Sequence, residues 1–246
     1  MKRKHDLLPE HLRYLKLAYV EQNYESIAGE AAEKGFTHVE YLRRLLAGEA
    51  ALRYERSVQR KIKQARLPVL KTLDQFNWSW PDKINRQQVL ELFRLRFIDQ
   101  KSNVVFCGGV GLGKTHLAVA LAHTACMDNY STLFASAVDI INNLSAAQAV
   151  NSLPRELKKY SLPSLLVIDE LGFLPMDKRA ADLLFQVISS RYERGSVIIT
   201  TNTIYKQWPR IFNNDATITS AVLDRLLHHC ETVTIEGKSF RMKDDD

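Results

Sequence analysis

The chain has 246 residues, 46% hydrophobic and 25% charged, which is ordinary for a globular protein and enough for one large domain or a catalytic domain with a small appendage. No apolar run approaches the ~20 residues that span a bilayer, and acids and Pro9 follow the basic N-terminus where a signal peptide needs its apolar stretch, so a cytosolic protein away from membranes is expected. The net charge of +6 is unevenly placed: residues 53–100 hold eleven Lys and Arg against five Asp and Glu, while the stretches on either side balance. Much of the excess lies in "RYERSVQRKIKQAR", with Arg53, Arg56, Arg60, Lys61, Lys63 and Arg66 opposed only by Glu55. Cys107, Cys126 and Cys230 are odd in number, far apart and form no C-x-x-C pair, so they read as reduced thiols used as small apolar residues.

In chain order, residues 8–67 read as helical. "EHLRYLKLAYV" puts Leu12, Leu15 and Tyr19 on one face. Val39, Leu42, Leu45, Leu46 and Leu52 recur at helical spacing, and Thr37 three residues before Glu40 suggests a capping box. Gly35 and Pro68 punctuate the block. An irregular, aromatic-rich connection, "LPVLKTLDQFNWSWPD", follows, and helical periodicity resumes in "NRQQVLELFRLRFID". From residue 101 the pattern changes to strand-helix alternation. "NVVFCG", "STLFAS", "SLLVIDE" and "SVIITTN" are the strands, with helices from Gly113, Val138 and Lys178 between them. Such alternation predicts an α/β fold with a parallel sheet covered on both faces. The expected organisation is a helical N-terminal domain over 1–68, a linker and lead-in helix over 69–100, and a catalytic domain over 101–246.

Residues 108–116, "GGVGLGKTH", fit G-x-x-x-x-G-K-[ST]. Gly108, Gly109, Val110, Gly111, Leu112 and Gly113 form a turn whose backbone N–H groups can point at phosphate oxygens, and the next helix adds its positive end through Lys114, Thr115 and His116. Lys114 supplies charge to the β- and γ-phosphates, and Thr115 a hydroxyl to Mg²⁺. "LLVIDE" ends a buried strand in two acids, which is costly unless they meet something positive. Asp169 suits the Mg²⁺ shell, and Glu170 suits the orientation and activation of the attacking water. This pair favours an ATPase that hydrolyses with water over a kinase, a GTP switch or a plain phosphate-loop binding module. Asn202, at the end of a third apolar strand, can reach the γ-phosphate or the water, or can simply end the strand. Near the end, Arg225 sits beside Asp224 on an apolar helix, where a surface ion pair is the plain alternative. Arg241 lies beyond the short strand "ETVTIEG", where a solvated terminal charge is the alternative.

On "GGVGLGKTHLA", "LLVIDELG", "IITTN", "LDRLLHH" and "GKSFR", the chain resembles the IstB-like ATPases that accompany insertion-sequence transposases, relatives of the helicase loader DnaC and the initiator DnaA. The "DRL…H" and "G-x-S-x-R" pair is the more specific part. The family's FDF-like segment stands here as "FNWSW" at 76–80. The resemblance implies a three-layer AAA+ domain behind a small helical one. It implies Asn202 as sensor 1, Arg225 as an arginine finger reaching a neighbouring subunit's γ-phosphate, and Arg241 as sensor 2 within its own subunit. It also implies an ATP-dependent homo-oligomer on double-stranded DNA, bound mostly without sequence choice, and a partner transposase. A helicase loader built on the same core is the alternative. The basic residues at 53–66 are candidate phosphate contacts, with Arg155, Lys158 and Lys159 in a second basic loop.

Overall fold

A computed structural model describes residues 7–240. The chain divides into two units at Arg60/Lys61, and the division falls inside a helix.

The first unit holds α1 (Leu8–Tyr14), α2 (Ala18–Lys34) and the start of α3 (His38–Ala65). Pro9 fits the first turn of α1, where no intrahelical N–H is needed. α2 ends at Gly35, whose left-handed backbone (φ 66°) returns its N–H to Ala31 O. Thr37 accepts the Glu40 N–H at 3.2 Å, as a cap should, but the Glu40 carboxylate pairs with Arg43 and Arg44 and leaves the expected box half made. Leu12, Val20 and Leu45 are buried together, with Tyr24, Ile27 and Tyr41 around them. Leu15, Val39, Leu42 and Leu46 are exposed, contrary to the face drawn from spacing. The α2–α3 seam is set instead by Gly48 against the Tyr19 ring and by buried Glu49, which accepts the Tyr19 N–H at 2.8 Å. Leu17 offers α2 no side-chain cap, so a carboxylate from another helix does that work.

The second unit is an α/β sandwich. Its elements are β1 (Lys83–Ile84), α4 (Arg86–Leu92), α5 (Arg96–Asp99), β2 (Asn103–Gly108), α6 (Lys114–Met127), β3 (Thr132–Ser136), α7 (Ala137–Ala149), α8 (Leu153–Ser161), β4 (Leu165–Leu171), α9 (Lys178–Arg191), β5 (Ser196–Thr201), α10 (Trp208–Ile211), α11 (Ala216–Leu227) and β6 (Cys230–Glu236). The sheet order is β1-β6-β2-β5-β4-β3, parallel except for β1 on β6, with β3 at one margin. Strand residues alternate between faces. Val104, Phe106, Leu165, Val167 and Ile198 face a core shared with α4, α5 and α6. Val105, Cys107, Leu166, Ile168 and Ile199 face one shared with α7, α9, α10 and α11.

Two expectations change here. Residues 85–99 form two helices rather than one, because Leu95 takes a left-handed turn (φ 59°) that lets Leu92, Leu95, Phe97 and Ile98 all reach the core. These helices pack into the core of the second unit, and the division between the two units falls at 60/61. "PRELKKY" is the helix α8, not a loop.

Arg191, the last residue of α9, is 1% exposed. Its guanidinium donates to the carbonyls of Tyr160 (2.8 Å), Pro163 (2.9 Å), Ser164 (3.2 Å) and Ser196 (2.7 Å), tying the lead-in of β4 to that of β5. Burial pushes its pKa down to about 10. Cys107 and Cys126 are buried thiols and Cys230 a half-buried one; burial pushes Cys230 up to about 11. Among the described residues no helix is long and apolar enough to cross a membrane.

Candidate active site

The glycine-rich turn leaves the C-terminal end of β2 and runs into α6. Gly111 (φ 75°) and Gly113 (φ 86°) hold left-handed backbone that side chains resist, and a Cβ on Gly113 would lie 2.6 Å from the Phe76 ring. Lys114 Nζ donates to the carbonyls of Gly108 (2.7 Å) and Gly109 (2.5 Å), so the ammonium lies along its own loop. His116 turns sideways: its Nε2 donates to Thr72 O at 2.9 Å, and its ring meets Phe76 edge-on at 5.5 Å. The lead-in segment is thereby fastened to the start of α6.

The acids come from the next strands. Asp169 is 8% exposed, and Thr115 Oγ1 donates to its Oδ1 at 2.9 Å. The Thr200 hydroxyl donates to the same oxygen at 2.5 Å and accepts the Glu170 N–H at 2.9 Å. Glu170 is exposed and left-handed (φ 59°). Asn202, just past β5, accepts a hydrogen bond from Thr203 Oγ1 at 3.0 Å.

A cavity of about 400 Å³ unites these groups. Lys114, Thr115, Glu170 and Asn202 line its polar side, and Phe76, Trp80 and Phe240 its apolar side. Trp80 meets Phe240 edge-on at 5.0 Å, and its indole N–H donates to Lys238 O at 3.0 Å. Ligands in open parallel sheets bind beyond the C-terminal strand ends, where this cavity lies. The cavity thus combines a glycine-rich turn, a lysine, a hydroxyl bonded to a carboxylate and a second carboxylate with flat aromatic surface. That arrangement suits a nucleoside triphosphate.

Arg225 is placed elsewhere. On α11 its guanidinium lies 5.0 Å from the Phe185 ring centroid and donates to Ala221 O at 2.9 Å; it does not line the cavity. No ion pair with Asp224 forms among the described residues. Arg241 lies outside the described residues.

The basic candidates separate. Arg53 is tied to Glu49 (3.0 Å) and to Lys16 O (2.9 Å) within the first unit, and so serves its packing. Arg56, Arg60, Lys63 and Arg66 are exposed. Lys61 donates to Asn129 O. In the second unit, Lys61, Arg66, Lys158 and Lys159 line one groove of about 710 Å³ beside β3, so two patches far apart in sequence meet. Arg155 is exposed on α8, and Lys159 pairs with Glu156 at 2.5 Å. No local pattern marks Thr200, Phe76, Trp80 and Phe240 as lining one site together; the aromatic run at 76–80 is the nearest signal.

Comparison with known proteins agrees with this geometry. The profile of the family described as "IstB-like ATP binding protein" matches residues 10–246. The insertion sequence IS232 putative ATP-binding protein of Bacillus thuringiensis subsp. berliner is 38% identical over 244 residues, 99% of this chain and 97% of that protein. Among solved structures, the DnaC helicase loader superposes with TM-score 0.54 at 22% identity, covering 67% of this chain and 96% of the loader. The replication initiator DnaA bound to AMPPCP and single-stranded DNA superposes with TM-score 0.58 at 21% identity, covering 70% of this chain and 52% of the initiator.

Proposed function

The chain belongs to the IstB-like ATP-binding protein family, and from that premise we propose that it is a Mg²⁺-dependent ATPase that assembles on target DNA and assists a partner transposase. The observation that carries the chemistry is the convergence of Lys114, Thr115, Glu170 and Asn202 on one cavity, with Asp169 hydrogen-bonded to Thr115. Lys114 neutralises phosphate charge, and the turn's N–H groups bind phosphate oxygens. Glu170 orients and activates water for attack on the γ-phosphate, with Asn202 holding the water or the phosphate. The Thr115 hydroxyl and Asp169 carboxylate, 2.9 Å apart, are the hard oxygen donors that Mg²⁺ prefers, and they would hold it. Bound with ATP, the ion would spread charge from the β- and γ-phosphate oxygens. Phe76, Trp80 and Phe240 offer the adenine its apolar faces.

Arg225 points to neither the chain's own cavity nor an acid, which supports a role in trans as an arginine finger. Arg241 would act as sensor 2 in its own subunit. The groove of Lys61, Arg66, Lys158 and Lys159 supports phosphate-backbone contact, which gives affinity without sequence choice. The loader alternative shares the AAA+ core. The family match through residues 10–60, where partner choice is expected, favours the transposition helper. The test is assembly of the purified chain on duplex DNA of arbitrary sequence with ATP, AMPPCP or ADP, with and without the transposase of its own insertion sequence. The expected result is ATP- or AMPPCP-dependent oligomers that the transposase binds. Monomers in every condition would count against the proposal, and recruitment of a replicative helicase instead would favour the loader.

A further inference from the structure

Asp169 and Glu170 are neighbours on one strand, and both are needed on the same side of it. In a regular strand they would point to opposite faces. Asp169 faces the start of α6, yet Glu170 lines the same cavity as Lys114 and Thr115. Two features of the backbone turn it there. Glu170 takes φ 59°, and the register between β4 and β5 runs Ile168↔Ile199 and then Leu171↔Thr201, so three steps on β4 span two on β5. Thr200 is the β5 residue opposite this bulge, and it is 1% exposed. Its hydroxyl makes both bonds that the irregularity needs, accepting the Glu170 N–H at 2.9 Å and donating to Asp169 Oδ1 at 2.5 Å.

We infer that Thr200 is a positioning residue of the hydrolytic site. Its hydroxyl replaces the ladder bond lost at the bulge and holds Glu170 in the turn that aims its carboxylate at the γ-phosphate. It also fixes the Asp169 carboxylate, whose Oδ1 is shared with Thr115. Valine would fill the same space and leave the Glu170 N–H without its acceptor. Serine would keep the hydroxyl. The inference rests on the ATPase reading of this cavity, and it concerns residues that meet the nucleotide less directly than Lys114 or Glu170 do.

The experiment compares full-length wild type, Thr200→Val, Thr200→Ser and Glu170→Gln by two readouts. The first is hydrogen exchange of the Glu170 amide in nucleotide-free protein. The second is steady-state ATP turnover beside AMPPCP affinity. Thr200→Val is expected to exchange the Glu170 amide about tenfold faster, since an unpaired N–H opens readily. Its kcat should fall roughly 10- to 100-fold with AMPPCP affinity within about threefold, as misplacement of a water-activating group costs rate rather than binding. Thr200→Ser should restore both. Unchanged exchange and unchanged kcat in Thr200→Val, or a Thr200→Ser as impaired as the valine, would overturn the inference. If wild type shows no ATP turnover, the ATPase reading fails; if Glu170→Gln turns over ATP like wild type, Glu170 is not the water-activating group; in either case the exchange readout alone decides whether Thr200 holds the bulge. Should Thr200→Val lose cooperative melting, Thr200→Ala is read by the same criteria.

Discussion

A non-glycine residue in the left-handed region costs roughly 1–2 kcal/mol, and Glu170 at φ 59° stands there at the penultimate position of β4. Surrounding structure must offset that cost, and at this position the return is a carboxylate facing the phosphates. Glu170→Gln keeps the shape and removes the base. Its turnover should fall by about 10²–10⁴, the usual worth of a positioned proton acceptor, while ATP binding stays within a few-fold. Turnover by phosphate release and affinity by nucleotide titration check this, and a wild-type rate would remove Glu170 from the mechanism. The phosphate loop and the acid pair were legible in the sequence because each is a local pattern, with chemistry fixed by spacing. Thr200 was not: a threonine at a strand end is common, and its meaning depends on which strand lies opposite and where the register slips. Arg191 was hidden for a similar reason. Its carbonyl partners at 160, 163 and 164 lie in the last turn of α8 and the short connection after it, which periodicity does not resolve.

Elements were legible where local composition settles them. "NVVFCG" is β2 residue for residue, since a short apolar run bounded by polar residues in a covered parallel sheet has few other places to go. α3 shows the opposite. Helical spacing chose Val39, Leu42, Leu45, Leu46 and Leu52; Leu45 is buried, but Val39, Leu42 and Leu46 are exposed, and the packed side is organised by a glycine and a glutamate. Gly48 is the sharper case. Helix propensity alone says that Gly48→Ala gains roughly 1 kcal/mol. A Cβ there would lie 2.0 Å from Tyr19 Cε1 and 2.2 Å from Cζ, so the ring or the helix must move. Overpacking of this kind costs about 1–3 kcal/mol, and the substitution should lower the stability of the first unit on balance. Hydrogen exchange of the α2 and α3 amides in the full chain measures it. Slower exchange in the alanine variant would mean that the ring swings aside freely.

At the scale of the molecule, the nucleotide cavity lacks an arginine of its own among the described residues that line it. The trans role proposed above has Arg225, which rests on Phe185, complete the site from another copy. Arg225→Ala should therefore bind ATP within about threefold of wild type and lose roughly 10³ in turnover, the scale of a finger supplied in trans. A mixture makes the test sharper. Arg225→Ala keeps a working phosphate loop, Lys114→Ala keeps the finger, and together they should recover activity that neither shows alone. Wild-type hydrolysis by isolated Arg225→Ala chains would end the trans assignment. The groove also has a consequence for the sheet as a whole. Leu165 N–H donates to Ser131 O, and the pairing is parallel, so Thr132 and Phe134 turn their backbone groups away from β4 at the margin. An unpaired margin can template another strand and seed aggregation. Lys61, Arg66, Lys158 and Lys159 flank it, so a second copy stacking there would press cation against cation. The cations proposed to meet a phosphate backbone would thus also oppose growth of the sheet past its own chain.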